Sequence, residues 1–187
     1  MNIILKSAMI LAVVAGTSLI TKEVKTVNVE TSTAVWTGKK FAGSHSGTID
    51  LKSGQLEFNN KQLTGGEFII DMSSIEVTDL SGGTKAKFEG HLKSDDFFST
   101  ATHETATLKI TKVDNTSSPY KVSANLTVKG ITNPITFDLT TTEDTATTQI
   151  VIDRSKYDVK YGSKSFFSGL GDNFIYDNFE VDITLKY

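Results

Sequence analysis

"YKVSANLTVKGITNPITFDL", residues 120–139, decides the fold. Val122, Ala124, Leu126 and Val128 fall on one face; Lys121, Ser123, Asn125, Thr127 and Lys129 fall on the other. A period of two with one apolar face marks a half-buried strand. After the connection "KGITNP", Ile135, Phe137 and Leu139 begin the same pattern again. So short a link favours antiparallel neighbours, and the stretch reads as a hairpin.

The same alternation extends outward in both directions. Upstream, "HSGTIDL" (45–51) sets His45, Gly47, Ile49 and Leu51 together, and "SGQLEFNN" (53–60) opens as a turn before Leu56 and Phe58. "GGEFIIDM" (65–72) pairs Phe68, Ile70 and Met72, and "TATLKITKV" (105–113) pairs Ala106, Leu108 and Ile110. Downstream, "TQIVIDR" (148–154) gives Ile150 and Ile152, and "NFEVDITLKY" (178–187) gives Phe179, Val181, Ile183 and Leu185. Threonine-rich "LTTTEDTATT" (139–148) reads as an exposed hairpin crest. About eight one-sided antiparallel strands imply an all-β closed barrel or a sandwich.

One segment breaks the period. "GGTKAKFEGHLK" (82–93) spaces Phe88 and Leu92, and Lys85 and Glu89, four apart, predicting one short helix capped by Ser81 or Thr84. Gly90 costs such a helix about 1 kcal/mol, so close packing against other backbone is expected there.

Composition sets the bounds. The chain has 187 residues, 14 Gly, 2 Pro, no Cys and a net charge of −3, which suits one domain of strands and turns. No basic block suggests a nucleic-acid partner. The absence of cysteine excludes disulfides and thiolate chemistry. "MNIILKSAMILAVVAGTSLI" (1–20) places an apolar run after Lys6, the pattern of a signal peptide, with cleavage expected after Ala15 or Ser18. The run is short for a membrane span, so an integral membrane protein is not expected. With residues 1–20 taken as the approximate extent of that peptide, residues 21–187 form the single folded domain.

Catalytic motifs are absent. There is no G-x-S-x-G, and His45, His91 and His103 show no metal-binding spacing, so neither a catalytic set nor a metal site is assigned. In "GHLKSDDFF" (90–98), Ser94 with Asp95 and Asp96 reads as the cap and first turn of a further short helical segment. Phe97 and Phe98, with Phe166, Phe167 and Phe174 of "YGSKSFFSGLGDNF" (161–174), make two aromatic junctions. These either close the ends of a filled barrel or gate a hollow one.

The order "TIDLKSGQLEF", "GGEFIIDMSSIEVTD", "GHLKSDDFFST", "LTVKGITNPITF" and "IDRSKY" resembles the YceI-like family, from about Val29 to Tyr187. The resemblance implies an eight-stranded, antiparallel, lipocalin-like barrel enclosing an apolar tunnel for polyisoprenoid chains, including isoprenoid quinones. It also implies a periplasmic or secreted location and no established catalytic reaction. On that reading the tunnel is lined by Phe68, Ile70, Phe97, Phe98, Leu108, Ala124, Leu126, Val128, Phe137, Ile152, Val181 and Ile183. His91, Asp95 and Arg154 are candidate head-group contacts. No cofactor is expected beyond the lipid itself, and the expected partner is an apolar chain-like lipid, with a homodimer as an allowed assembly. A filled interaction barrel and an enzyme acting on lipid precursors are the alternatives.

Overall fold

A computed structural model describes residues 22–187. The expected signal peptide, residues 1–20, lies outside the described residues. The elements run β1 (Lys22–Thr26), β2 (Thr33–Lys40), β3 (Gly43–Asn59), β4 (Gln62–Val77), α1 (Gly82–Lys93), β5 (Thr105–Asp114), β6 (Tyr120–Val128), β7 (Ile131–Thr141), β8 (Thr145–Asp153), a 3-10 turn (Arg154–Tyr157) and β9 (Ile175–Lys186). The sheet order is β1-β3-β2-β9-β8-β7-β6-β5-β4, and β3 also pairs with β4. That last pairing closes eight antiparallel strands, β2 to β9, into a lipocalin-like barrel. The ninth, β1, continues along β3 beyond the end of β2, its Val24 opposite Glu57.

The expected hairpin forms, with Leu126 opposite Asn133 and Val122 opposite Phe137. Its turn is tighter than "KGITNP" suggests. Lys129 and Gly130 alone make it, with φ of 51° and 74°, the double left-handed geometry that matches strand twist. Pro134 therefore lies inside β7. It is tolerated because β7 pairs with β8 only at Thr140–Thr147 and Thr141–Ala146, leaving the Pro134 stretch bonded on one side.

Two strand readings are corrected. "HSGTIDL" and "SGQLEFNN" are one 17-residue strand, β3, not two strands joined at Lys52–Gly54. A register shift between Leu51 and Ser53 switches the inward side chains from odd to even positions. That bulge imitates a turn in the sequence. Gly54 serves packing instead: a Cβ there would meet Phe68 Cδ1 at 2.7 Å. Two strands are not foreseen: β1, whose five residues carry a single aliphatic side chain, Val24, and β2, whose inward set holds only Ala34, Trp36 and Gly38, too little apolar surface to announce itself.

The helix occupies the expected residues 82–93, with Lys85 Nζ 3.7 Å from Glu89. Ser81 stands at its N-cap without a side-chain bond to the helix. Ser94 terminates α1, its hydroxyl donating to His91 O at 2.8 Å. Asp95 and Asp96 follow in a tight turn, closed by Ser99 N–H donating to Ser94 O at 2.8 Å, and no further helical segment forms there. Gly90 is exposed and a Cβ on it would touch nothing, so the expected close approach is absent.

Candidate ligand cavity

The inward side chains divide the barrel into two halves. At one end Leu56, Leu63, Val122 and Ala124 are at most 1% exposed and pack with Phe58 and Ala146 into a solid core. Phe58 and Tyr187 stack over it with ring centroids 6.0 Å apart, beneath the Lys25 ammonium. Toward the other end the interior is hollow, a cavity of about 450 Å³, within the ~300–1,000 Å³ of small-molecule sites. The lining residues that are also exposed mark its mouth: Lys39, Lys40, Tyr161 and Tyr176.

Of the tunnel residues expected from sequence, Phe68, Ile70, Phe97, Phe98, Leu108, Leu126, Val128, Phe137, Ile152, Val181 and Ile183 lie on the cavity wall. Ala124 does not. It is buried in the packed half, one inward step along β6 from Leu126. The boundary between solid and hollow crosses β6 between these two side chains. Trp36 of β2 also lines the hollow, its indole N–H donating to Thr48 O at 3.2 Å. The ring lies over Gly47, where a Cβ would come within 2.5 Å of it.

The three head-group candidates part ways. Asp95 is exposed and off the cavity wall. Arg154 is on the wall but only 2% exposed, and most of its donors are engaged by backbone carbonyls. Nε donates to Tyr176 O at 3.2 Å, one terminal nitrogen to Val159 O and Tyr161 O at 2.9 Å each, and the other to Ile175 O at 3.2 Å. Asp177 stands 3.4 Å away and supplies countercharge. Burial lowers the guanidinium pKa from its ordinary value, and Asp177 and Asp153 pull it back in part. The arginine therefore fastens the 159–161 chain to the start of β9 with four of its five N–H groups.

His91, on α1, is different. It lines the cavity, and its buried Nε2 has no hydrogen-bond partner among the described residues. Tyr161 and Phe97 hold the ring edge-on at centroid distances of 4.3 and 5.8 Å. A second imidazole, His45, also lines the cavity and was not among the candidates. Its Nδ1 is 2.8 Å from Asp79 Oδ2, and its ring lies 4.9 Å from Phe88. Burial pushes the Asp79 pKa up, but the hydrogen bonds from His45 and from the Ser46 backbone amide outweigh it and leave the carboxyl below its ordinary value. An ionised Asp79 only accepts, so it fixes the His45 proton on Nδ1 and leaves Nε2 an acceptor in the neutral ring. The available signal was parity: His45 shares its face with Ile49 and Leu51. Among the described residues no cluster of His, Asp and Glu fits a metal ion, and no helix is long and apolar enough to cross a membrane.

A closed antiparallel barrel hollowed at one end, apolar along its wall and polar at its mouth, defines a lipocalin-like binding fold. Residues 25–187 match the YceI-like domain, and the chain belongs to that family. No curated protein matches it. Among solved structures it is similar to BcnA of Burkholderia cenocepacia, at 19% identity and TM-score 0.70, covering 86% of this chain and 99% of that one. A polyisoprenoid binding domain from Saccharophagus degradans, implicated in plant cell wall breakdown, aligns at 18% identity and TM-score 0.58, covering 87% and 96%. A mutant YceI protein of Campylobacter jejuni aligns at 16% identity and TM-score 0.51, covering 76% and 81%.

Proposed function

We propose that the protein is a non-catalytic carrier for an apolar chain-like lipid, a polyisoprenoid or an isoprenoid quinone, exported by way of residues 1–20 to the periplasm or beyond. The observation that carries this reading is the hollow half of the barrel, an apolar bore ending at two imidazoles. The chain lies along Leu108, Leu126, Phe137 and Val181, and its burial contributes about 25 cal/mol per Å² before ordering costs. The head group meets His91 Nε2 and His45, which together accept from or donate to a hydroxyl or carbonyl oxygen. The polyisoprenoid binding described for the Saccharophagus degradans relative supports the choice of chain. A filled interaction barrel fits the packed half alone, and the cavity speaks against it for the rest.

The test is mass spectrometry of organic extracts of the protein purified from its native host. A long-chain isoprenoid at a substantial molar fraction is expected. Lipid-free protein that also ignores added polyprenols would remove the proposal. The intact mass of the same sample should show loss of residues up to about the cleavage site, a shortening of roughly 15–22 residues.

A further inference from the structure

Phe41, Tyr161, Phe166, Phe167 and Tyr176 account for every exposed aromatic ring among the described residues, at 43% to 54% exposure. The other exposed large apolar residues, Val24, Val35, Ile131 and Val151, are aliphatic and scattered over separate strands. The five rings share one end of the molecule. Tyr161 and Tyr176 are on the cavity mouth itself. Phe41, in the β2–β3 turn beside mouth residues Lys39 and Lys40, has its ring 5.8 Å from that of Phe174 and donates its backbone N–H to Phe174 O. Phe166 and Phe167 sit in the turn between Tyr161 and β9, which Ser165 Oγ ties to Asp177 at 2.6 Å. Lysines lie among the rings: Lys160 is 5.5 Å from the Phe166 centroid and Lys164 is 3.5 Å from that of Phe174.

Rings left in water at one rim, with ammonium groups beside them, have the composition of a membrane-interface belt. The cargo gives the reason. An isoprenoid chain loses about 0.8 kcal/mol per CH₂ on leaving a bilayer for water, so a carrier has to collect it at the membrane. We propose, resting on the lipid-carrier reading above, that this aromatic rim docks on the surface of a lipid bilayer and sets the cavity mouth against it. Acids offset the lysines, Asp158 at 2.7 Å from Lys160 and Glu180 beside Lys39. The rings therefore supply most of the attraction, and a zwitterionic surface suffices.

Flotation with phosphatidylcholine vesicles, with and without phosphatidylglycerol, tests this on protein purified from its host. The variants compared are Phe166→Ser/Phe167→Ser and, away from the rim, Val151→Ser. Neither phenylalanine lines the cavity, and the N-terminus is common to all samples. The native protein and Val151→Ser should float with both vesicles, while the double variant should partition roughly tenfold less. Native protein that stays unbound overturns the proposal in favour of a protein partner, and a double variant that floats like the native protein overturns it as well. Uptake of a fluorescent geranylgeraniol analogue, delivered without vesicles, is measured in parallel. Vesicle binding without uptake removes the carrier reading and leaves the docking surface standing; uptake without vesicle binding does the reverse.

Discussion

The packed and hollow ends of the barrel are built by the same strands with the same alternation. On β6, Val122 and Ala124 are locked in a solid core, while Leu126 and Val128, on the same face, look into empty space. Burial is nearly equal in the two halves, so exclusion from water does not distinguish them. What differs is the number of neighbours on the inward side. The packed end draws together Leu56, Leu63 and Val122, with Gly66 so tightly placed that a Cβ would sit 2.8 Å from Gln55 O. At the other end large rings stand around the rim of the bore and leave its centre open. A barrel wall thus serves as core or as container according to what its interior positions place opposite one another.

The sharpest contrast is between two leucines. Leu63→Ala in the packed half leaves a void in a filled region and should lower stability by about 2–5 kcal/mol. Leu108→Ala on the cavity wall removes atoms that already lack partners on one side, and should cost less, about 1–2 kcal/mol. Urea unfolding of the delipidated variants checks both; equal losses would erase the distinction between the halves. Isoprenoid affinity should change for Leu108→Ala and stay near native for folded Leu63→Ala.

Arg154→Gln comes next. It strips donors from the carbonyls of Val159, Tyr161, Ile175 and Tyr176, and should cost about 2–3 kcal/mol. Arg154 anchors the mouth through backbone carbonyls, so chain affinity per folded molecule should hold at temperatures where the variant is native. A folded variant that loses affinity in proportion to head-group polarity would return Arg154 to the ligand-binding set. Smallest is Gly90→Ala on the exposed face of α1, where a methyl meets nothing. Helix propensity alone should raise stability by up to about 1 kcal/mol, seen as a higher unfolding midpoint with unchanged binding.

The fold was legible where alternation carried enough apolar mass: β6, β7 and β9 read directly, and the helix showed in the four-residue spacing of Phe88 and Leu92. It was illegible in β2, whose interior face is mostly small, and at Lys52–Gly54, where a bulge and a turn use the same residues. The cavity wall could be read from parity because parity decides which side chains face inward. Parity is silent on depth, which is why Ala124 was grouped with Leu126. The mouth was hardest. Asp95 and Arg154 are polar candidates, yet one faces solvent and the other gives four of its N–H groups to backbone carbonyls, two of them 21 and 22 positions away. His45 is set in place by Asp79, 34 positions away.

Leu126→Trp tests the hollow half most directly, because Leu126 stands at the boundary where the bore begins. The measurement is thermal unfolding of the delipidated variant alongside titration with a fluorescent geranylgeraniol analogue. A hollow bore accepts the indole: the variant should unfold near the native midpoint, within the cost of about 1 kcal/mol tolerated by volume-compatible changes, and should lose uptake of the chain. Full-affinity binding by a folded Leu126→Trp would contradict a tunnel along this wall, and collapse of the fold would show that the space beside Leu126 is filled.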